Sequence, residues 1–188
     1  MAKKWDWPLK GLTAFKKTKA SFANDQLFGA RGTNFRPNGF HDGLDFGSID
    51  HTGNPPNKIY GAHAGKVIAV GYRSGNEWYV ITKDNAGIYV IYQEFASSKS
   101  DIAVSTGQTV HIGTFIGTRT GTHLHIGINT KKNPLNANAW TMDGWVDPLE
   151  TITEDKLGSN DDGTGGDNNS DNGSKEKDFV MLNTYWRY

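Results

Sequence analysis

The chain has 188 residues, a formal charge of zero at neutral pH and no cysteine. That length holds one good-sized core but hardly two full domains. The charge balance lacks the basic excess of a nucleic-acid-binding protein, and the missing thiols exclude disulfides and leave any metal to His, Asp or Glu. Six Trp, seven Tyr and nine Phe beside 23 Gly favour short strands and tight turns, so an all-β body is expected.

The N-terminal stretch Met1 to Pro8 carries Lys3 and Lys4 but no apolar run behind them, so no classical signal peptide is expected in this chain. No later run reaches membrane-spanning length, and no membrane insertion is expected. Turns fall near residues 20 to 28, followed by His41-Asp42-Gly43-Leu44-Asp45 and a polar stretch, Ser48 to Asn57. Strands are predicted at Lys66 to Gly71, Trp78 to Thr82 and Ile88 to Tyr92, the last two pairing antiparallel across the turn-rich Lys83-Asp84-Asn85-Ala86-Gly87. Short strands at Gln108 to Gly113 and Thr114 to Gly117 precede another beginning at Thr122. No convincing helix is visible, apart from turns near 134 to 140. Residues 1–157 form the expected domain, 158–178 a flexible acidic linker with almost nothing apolar to bury, and 179–188 an aromatic tail.

Residues two apart on a strand share a face, so His123 and His125 project together while Leu124, Ile126 and Ile128 pack on the other side. His41 and Asp45 can bend toward one point if Gly43 permits a tight turn. Imidazoles and a carboxylate suit Zn²⁺, and three protein ligands with an open fourth position make a catalytic site. His51, His63 and His111 read as ordinary loop or edge residues, with His63 the first substitute to test. Tyr60, Tyr72, Trp78 and Tyr92 read as core packing rather than as a peptide groove. The Thr-Gly run from Thr118 to Thr122 lacks the Lys-Ser/Thr of a nucleotide-binding loop.

Over roughly residues 25 to 150 these motifs resemble the lysostaphin-type (LytM-type) zinc metalloendopeptidases that cut peptides in bacterial cell walls. The resemblance rests on Phe28-Gly29-Ala30-Arg31, His41-Asp42-Gly43-Leu44-Asp45-Phe46-Gly47 and Tyr60-Gly61-Ala62-His63-Ala64-Gly65-Lys66-Val67. It continues through Val104 to Val110, Ile116-Gly117, Thr120-Gly121-Thr122-His123-Leu124-His125 and Val146-Asp147-Pro148-Leu149. It implies a compact antiparallel β-sheet or barrel-like domain with groove-forming loops. His41, Asp45 and His125 are its implied Zn²⁺ ligands, with His123 close by but not ligating, and peptidoglycan peptides its implied substrate.

Where members usually carry a further active-site His, in Tyr-x-His-Leu, this chain has Tyr92-Gln93-Glu94-Phe95. Glu94 is then either a general base working beside an oxyanion-stabilising His123, or a solvated strand residue in a weak or inactive enzyme. Trp5-Asp6-Trp7-Pro8 and the Glu-bearing strand also resemble phage tail-associated modules. That second resemblance implies a virion tail or cell-wall location and other phage tail proteins as partners. The alternatives are a non-catalytic wall-binding or structural tail module, or a fragment of a host autolysin.

Overall fold

The computed structural model describes residues 3–11, 17–33, 36–47, 57–74, 77–138 and 141–161. Eleven strands are present among these residues: β1 (Arg31–Thr33), β2 (Arg36–Phe40), β3 (Leu44–Gly47), β4 (Lys58–Tyr60), β5 (Gly65–Arg73), β6 (Glu77–Lys83), β7 (Tyr89–Ala96), β8 (Thr109–Val110), β9 (Phe115–Thr118), β10 (His123–Asn129) and β11 (Trp145–Val146). Seven of them make one sheet in the order β11-β10-β7-β6-β5-β8, with β3 joined to β10, and every pairing in it is antiparallel. The all-β expectation holds.

Alternation along the central strands divides the interior between the two faces of the sheet. Val80, Val90, Tyr92, Leu124, Ile126 and Ile128 point into the larger core with Leu44, Phe46 and Trp5. Tyr79, Ile81 and Ile91 point the other way, onto Phe40 and Trp145. In β6 the run Tyr79 to Thr82 is therefore buried at every position, as a strand covered on both sides should be. On β10 the apolar trio faces the larger core, which leaves His123, His125 and Gly127 on the opposite face. A Cβ on Gly127 would meet Trp145 and Ile91 of the smaller cluster.

The predicted hairpin forms, with Ile81 opposite Ile91 and Lys83 opposite Tyr89. Its turn is closed by the Ile88 N–H on the Asp84 carboxylate at 2.7 Å and by Gly87 at φ +85°. The strand expected over Gln108 to Gly113 shrinks to Thr109–Val110, because Gly107 and Gly113 both take positive φ and turn the chain away. One helix went unforeseen: α1 (Pro148–Thr153), where Asp147 caps the Leu149 N–H at 2.9 Å and Pro148 occupies the first turn. Six residues are too few to show a helical period, but Asp-Pro is an N-terminal helix signal.

The N-terminal segment is part of the core. Trp5 and Leu9 are almost fully buried, and the Lys4 and Trp5 N–H groups donate to the Asp155 carboxylate at 2.9 and 2.8 Å. The first residues of the expected linker are also held: Ser159 N–H donates to Asp84 (2.7 Å), and Asp161 accepts from His111 Nδ1 (2.8 Å) and the Ile112 N–H (2.7 Å). The rest of that stretch and the aromatic tail lie outside the described residues, as do His51 and nearly all of Ser48 to Asn57.

His63 is not the edge residue expected. It is 1% exposed, stacked on Trp5 with ring centroids 5.0 Å apart, and bonded through Nε2 to Thr82 Oγ1 at 2.8 Å. Burial pushes its pKa down to about 4, against the opposing pull of Asp84 and Asp161. The unfolded chain, with His near 6.5, then binds the extra proton first as pH falls. Stability is complete above pH 6.5 and is lost from there down to about pH 4. Between pH 7 and 5 this one residue should remove about 2 kcal/mol of unfolding free energy. Denaturant titrations of the wild type and His63→Gln should differ by that slope, and parallel profiles would contradict it.

Among the aromatics, Tyr92 is fully buried and its hydroxyl accepts the Ala62 N–H at 2.8 Å, whereas Tyr72 is exposed on the β5–β6 hairpin.

Candidate metal centre

Asp45 on β3 lies directly opposite His125 on β10, so strand register alone brings a carboxylate and an imidazole together. His41 follows β2, and its backbone is fixed on both sides: its N–H donates to Ala30 O (2.9 Å) and its carbonyl accepts the Gly29 N–H (2.8 Å). Phe28 packs edge-on against Phe40, which gives the Phe28-Gly29-Ala30 run a structural purpose. The outcome is a tight triangle. His41 Nε2 lies 3.0 Å from Asp45 Oδ1 and 3.1 Å from His125 Nδ1, and His125 Nδ1 lies 2.8 Å from Asp45 Oδ1.

The protons on these groups show what the triangle suits. His41 Nδ1 is 3.0 Å from the carbonyl of Leu27, which can only accept, so Nδ1 carries the hydrogen. In the tautomer able to bind a cation, His41 then aims a lone pair from Nε2 at a carboxylate and at a second imidazole nitrogen. Acceptors gathered this closely repel one another unless a proton or cation lies among them. Two ligands about 2.05 Å from a tetrahedral Zn²⁺ would be roughly 3.3 Å apart, only slightly wider than the observed spacings. Residues His41, Asp45 and His125 thus fit a divalent ion, with the Leu27 carbonyl orienting one ligand ring.

Gly43 sits at a bend between β2 and β3, but it is required there for space rather than for a left-handed backbone. Its φ is not positive; instead, a Cβ there would come within 2.4 Å of both His125 Nε2 and the Ile126 carbonyl. Gly43→Ala is expected to displace the His125 ring, lowering metal affinity and costing about 1–3 kcal/mol of stability by overpacking. Calorimetric zinc titration and thermal unfolding of the variant would check both effects.

A second set of groups shares Asp45 with the first. His123 Nε2 is 2.6 Å from Glu94 Oε2 and 3.6 Å from Asp45 Oδ1. Its Nδ1 lies 2.9 Å from Thr122 Oγ1, while Glu94 Oε1 accepts from Gln93 Nε2 at 3.2 Å. The Glu94 side chain is only 15% exposed and ion-paired, which does not match a solvated strand residue.

Burial works against charge on His123, but hydrogen bonds and charges from Asp45 and Glu94 outweigh it and raise its pKa to about 10. Burial likewise favours protonated Asp45 and Glu94. The surrounding histidines overrule it, holding Asp45 well below the usual carboxylate range and Glu94 below its own.

Glu94 reaches this position through an irregularity in β7. Its φ is +64°, the strand shifts register against β6 here, and the Phe95 carbonyl accepts both the Thr120 and Gly121 N–H groups at 2.8 Å. A left-handed Glu is strained by roughly 1 kcal/mol or more, and strain of this kind gathers at working sites. Gly121 must be glycine, since a Cβ would meet the Glu94 carbonyl at 2.5 Å. The Thr-Gly run is therefore the anchor of the Glu94 bulge. His63 and His111 lie in other hydrogen-bonded groups and contribute no donor to the triangle.

Fold and site together define an antiparallel β protein built around a buried two-histidine, one-carboxylate cluster. The chain belongs to peptidase family M23, whose sequence pattern matches residues 39–137. It is similar to the crystal structure of cbpa from L. salivarius REN, at 39% identity over 81% of this chain and 96% of that one, with a TM-score of 0.70.

The fold is shared with the catalytic domain of the antimicrobial peptidase lysostaphin from Staphylococcus simulans: 18% identity, 75% of this chain, 98% of that one, TM-score 0.52. A solution structure of lysostaphin agrees, at 21% identity, 73% and 54% coverage and a TM-score of 0.51. No curated protein matches the chain significantly. Among the described residues no helix is long and apolar enough to cross a membrane.

Proposed function

We propose that this chain is a zinc-dependent endopeptidase that hydrolyses peptide bonds in the stem or cross-bridge peptides of bacterial peptidoglycan. The observation that carries the proposal is the convergence of His41 Nε2, Asp45 Oδ1 and His125 Nδ1 within 3.1 Å of one another, beside a Glu94–His123 pair not used in holding them. Zn²⁺ held by those three residues would supply Lewis acidity and an acidified water.

The chain's own residues then divide the proton work. Glu94, ionised and mostly buried, takes a proton from the attacking water. His123 Nε2–H donates to the oxyanion that forms on the scissile carbonyl. Thr122 Oγ1 holds the other ring nitrogen of His123 and so its orientation. Asp45 and Glu94 hold His123 in its charged, donating form. The leaving amine can recover the proton from Glu94.

The setting we propose is extracellular, at the bacterial cell wall, with a phage tail as the carrier and other tail proteins as neighbours. Trp5 and Trp7 pack into this domain's own core, so the Trp5-Asp6-Trp7-Pro8 segment is accounted for by folding whatever the carrier is.

The test is digestion of purified Gram-positive walls with and without a chelator, counting newly freed amino groups and identifying the products by mass spectrometry. Chelator-sensitive amine release supports the endopeptidase. Zinc-loaded protein that adheres to walls yet frees no amines would replace it with a wall-binding or structural module.

A further inference from the structure

His125 has a second ring nitrogen that the triangle does not use. Its Nε2 is buried and without a hydrogen-bond partner, and the ring is 1% exposed. An unpaired N–H enclosed by protein is costly, of order 1–3 kcal/mol, unless something offsets it. The nearest oppositely charged group is Asp42, whose Oδ1 stands 3.6 Å away, just beyond hydrogen-bonding length, on a side chain 18% exposed. Asp42 immediately follows His41, and the ring edge of His125 lies against Gly43, where no Cβ fits. The His41-Asp42-Gly43 turn therefore presents a ligand on one side and a carboxylate to the far nitrogen of a different ligand on the other.

We propose that Asp42 is a positioning residue for the metal centre, an outer carboxylate that accepts a hydrogen bond from His125 Nε2 and so fixes the tautomer leaving Nδ1 free as a ligand. The inference rests on the zinc reading of the site. With a cation on Nδ1, the Nε2–H would be a stronger donor toward Asp42 Oδ1, the carboxylate oxygen that stands 3.6 Å from it. An outer carboxylate also raises the basicity of the ligand imidazole, and losing such a partner costs about 10–100-fold in metal affinity. Leu27 O does the corresponding work for His41 from the main chain, where substitution cannot remove it. Asp42 is thus the one outer partner of a ligand imidazole, among the described residues, that mutation can test.

The experiment measures the zinc dissociation constant of the full chain by competition with a chromophoric chelator, for the wild type, Asp42→Asn and Asp42→Ala, with Glu154→Gln as a charge control. Asp42→Ala is expected to bind zinc about 10–100-fold more weakly, and Asp42→Asn, of the same shape, also more weakly. Glu154→Gln should match the wild type. In parallel, the ring ¹H–¹⁵N spectrum of the zinc-loaded wild type should show a His125 Nε2–H protected from exchange, absent or rapidly exchanging in Asp42→Ala.

Unchanged zinc affinity in both Asp42 variants, with the Nε2–H signal retained, would overturn the role of Asp42 while leaving the zinc site standing. A wild type that binds no zinc would overturn the site itself, and this inference with it.

Discussion

Asp45→Ala is expected to strip the protein of zinc and reduce wall hydrolysis to background. Asp45 is the one residue common to both groups: its Oδ1 meets His41, His125 and His123 at 3.0, 2.8 and 3.6 Å. Removing it deletes the only anionic donor of the triangle and one of the two carboxylates facing His123. Its effect on zinc affinity should exceed the roughly 100-fold upper range for an outer-sphere partner, because a direct ligand is lost. Breaking a buried charge pair by deleting one member also costs about 3–5 kcal/mol, so the metal-free variant should unfold more easily than the metal-free wild type. Zinc content by elemental analysis after dialysis, with amine release from walls, reads both outcomes. Stoichiometric zinc in Asp45→Ala would contradict the assignment.

Glu94→Gln and His123→Ala should each lower hydrolysis by roughly 10²-fold or more while leaving zinc content intact. Neither side chain belongs to the His41–Asp45–His125 triangle, which makes retention of metal the control for each. Because Glu94 and His123 are 2.6 Å apart and act together, the double variant should lose little more than the worse single one. Full activity in Glu94→Gln would remove Glu94 from the mechanism and leave its strained backbone unexplained. Fully additive losses would mean that the two residues serve separate steps.

The parts of this structure that were legible in the sequence are those encoded by short-range pattern. Alternation in His123-Leu124-His125-Ile126 put both imidazoles on one face, and the apolar runs around Lys83 to Gly87 announced an antiparallel hairpin, which formed. The His41 to Asp45 motif was visible too, although the reason for its glycine was not. A tight turn is a local property, whereas the clash of a Gly43 Cβ with His125 depends on a strand more than eighty residues away.

What stayed hidden was set by non-local contact or by local strain. His63 sits in a loop-like sequence and is buried because Trp5 folds back across it. The helix Pro148–Thr153 has a cap but too few turns to show a period. The Glu94 bulge is held by the Thr120 and Gly121 amides, and nothing in Tyr92-Gln93-Glu94-Phe95 predicts a left-handed glutamate. Nothing local in His41-Asp42-Gly43 places Asp42 opposite His125 Nε2, because that approach depends on how β10 packs beside the motif.

The most direct measurement is X-ray absorption at the zinc edge of the metal-loaded chain, combined with a structure of the same sample. The expected result is one Zn²⁺ bound by two imidazole nitrogens, from His41 and His125, and one oxygen from Asp45 at about 2.0–2.2 Å, with a light-atom solvent ligand completing the shell. A shell closed by a fourth protein donor, His123 or Glu94 included, or a zinc bound away from these three residues, would contradict the hydrolytic site proposed for this chain.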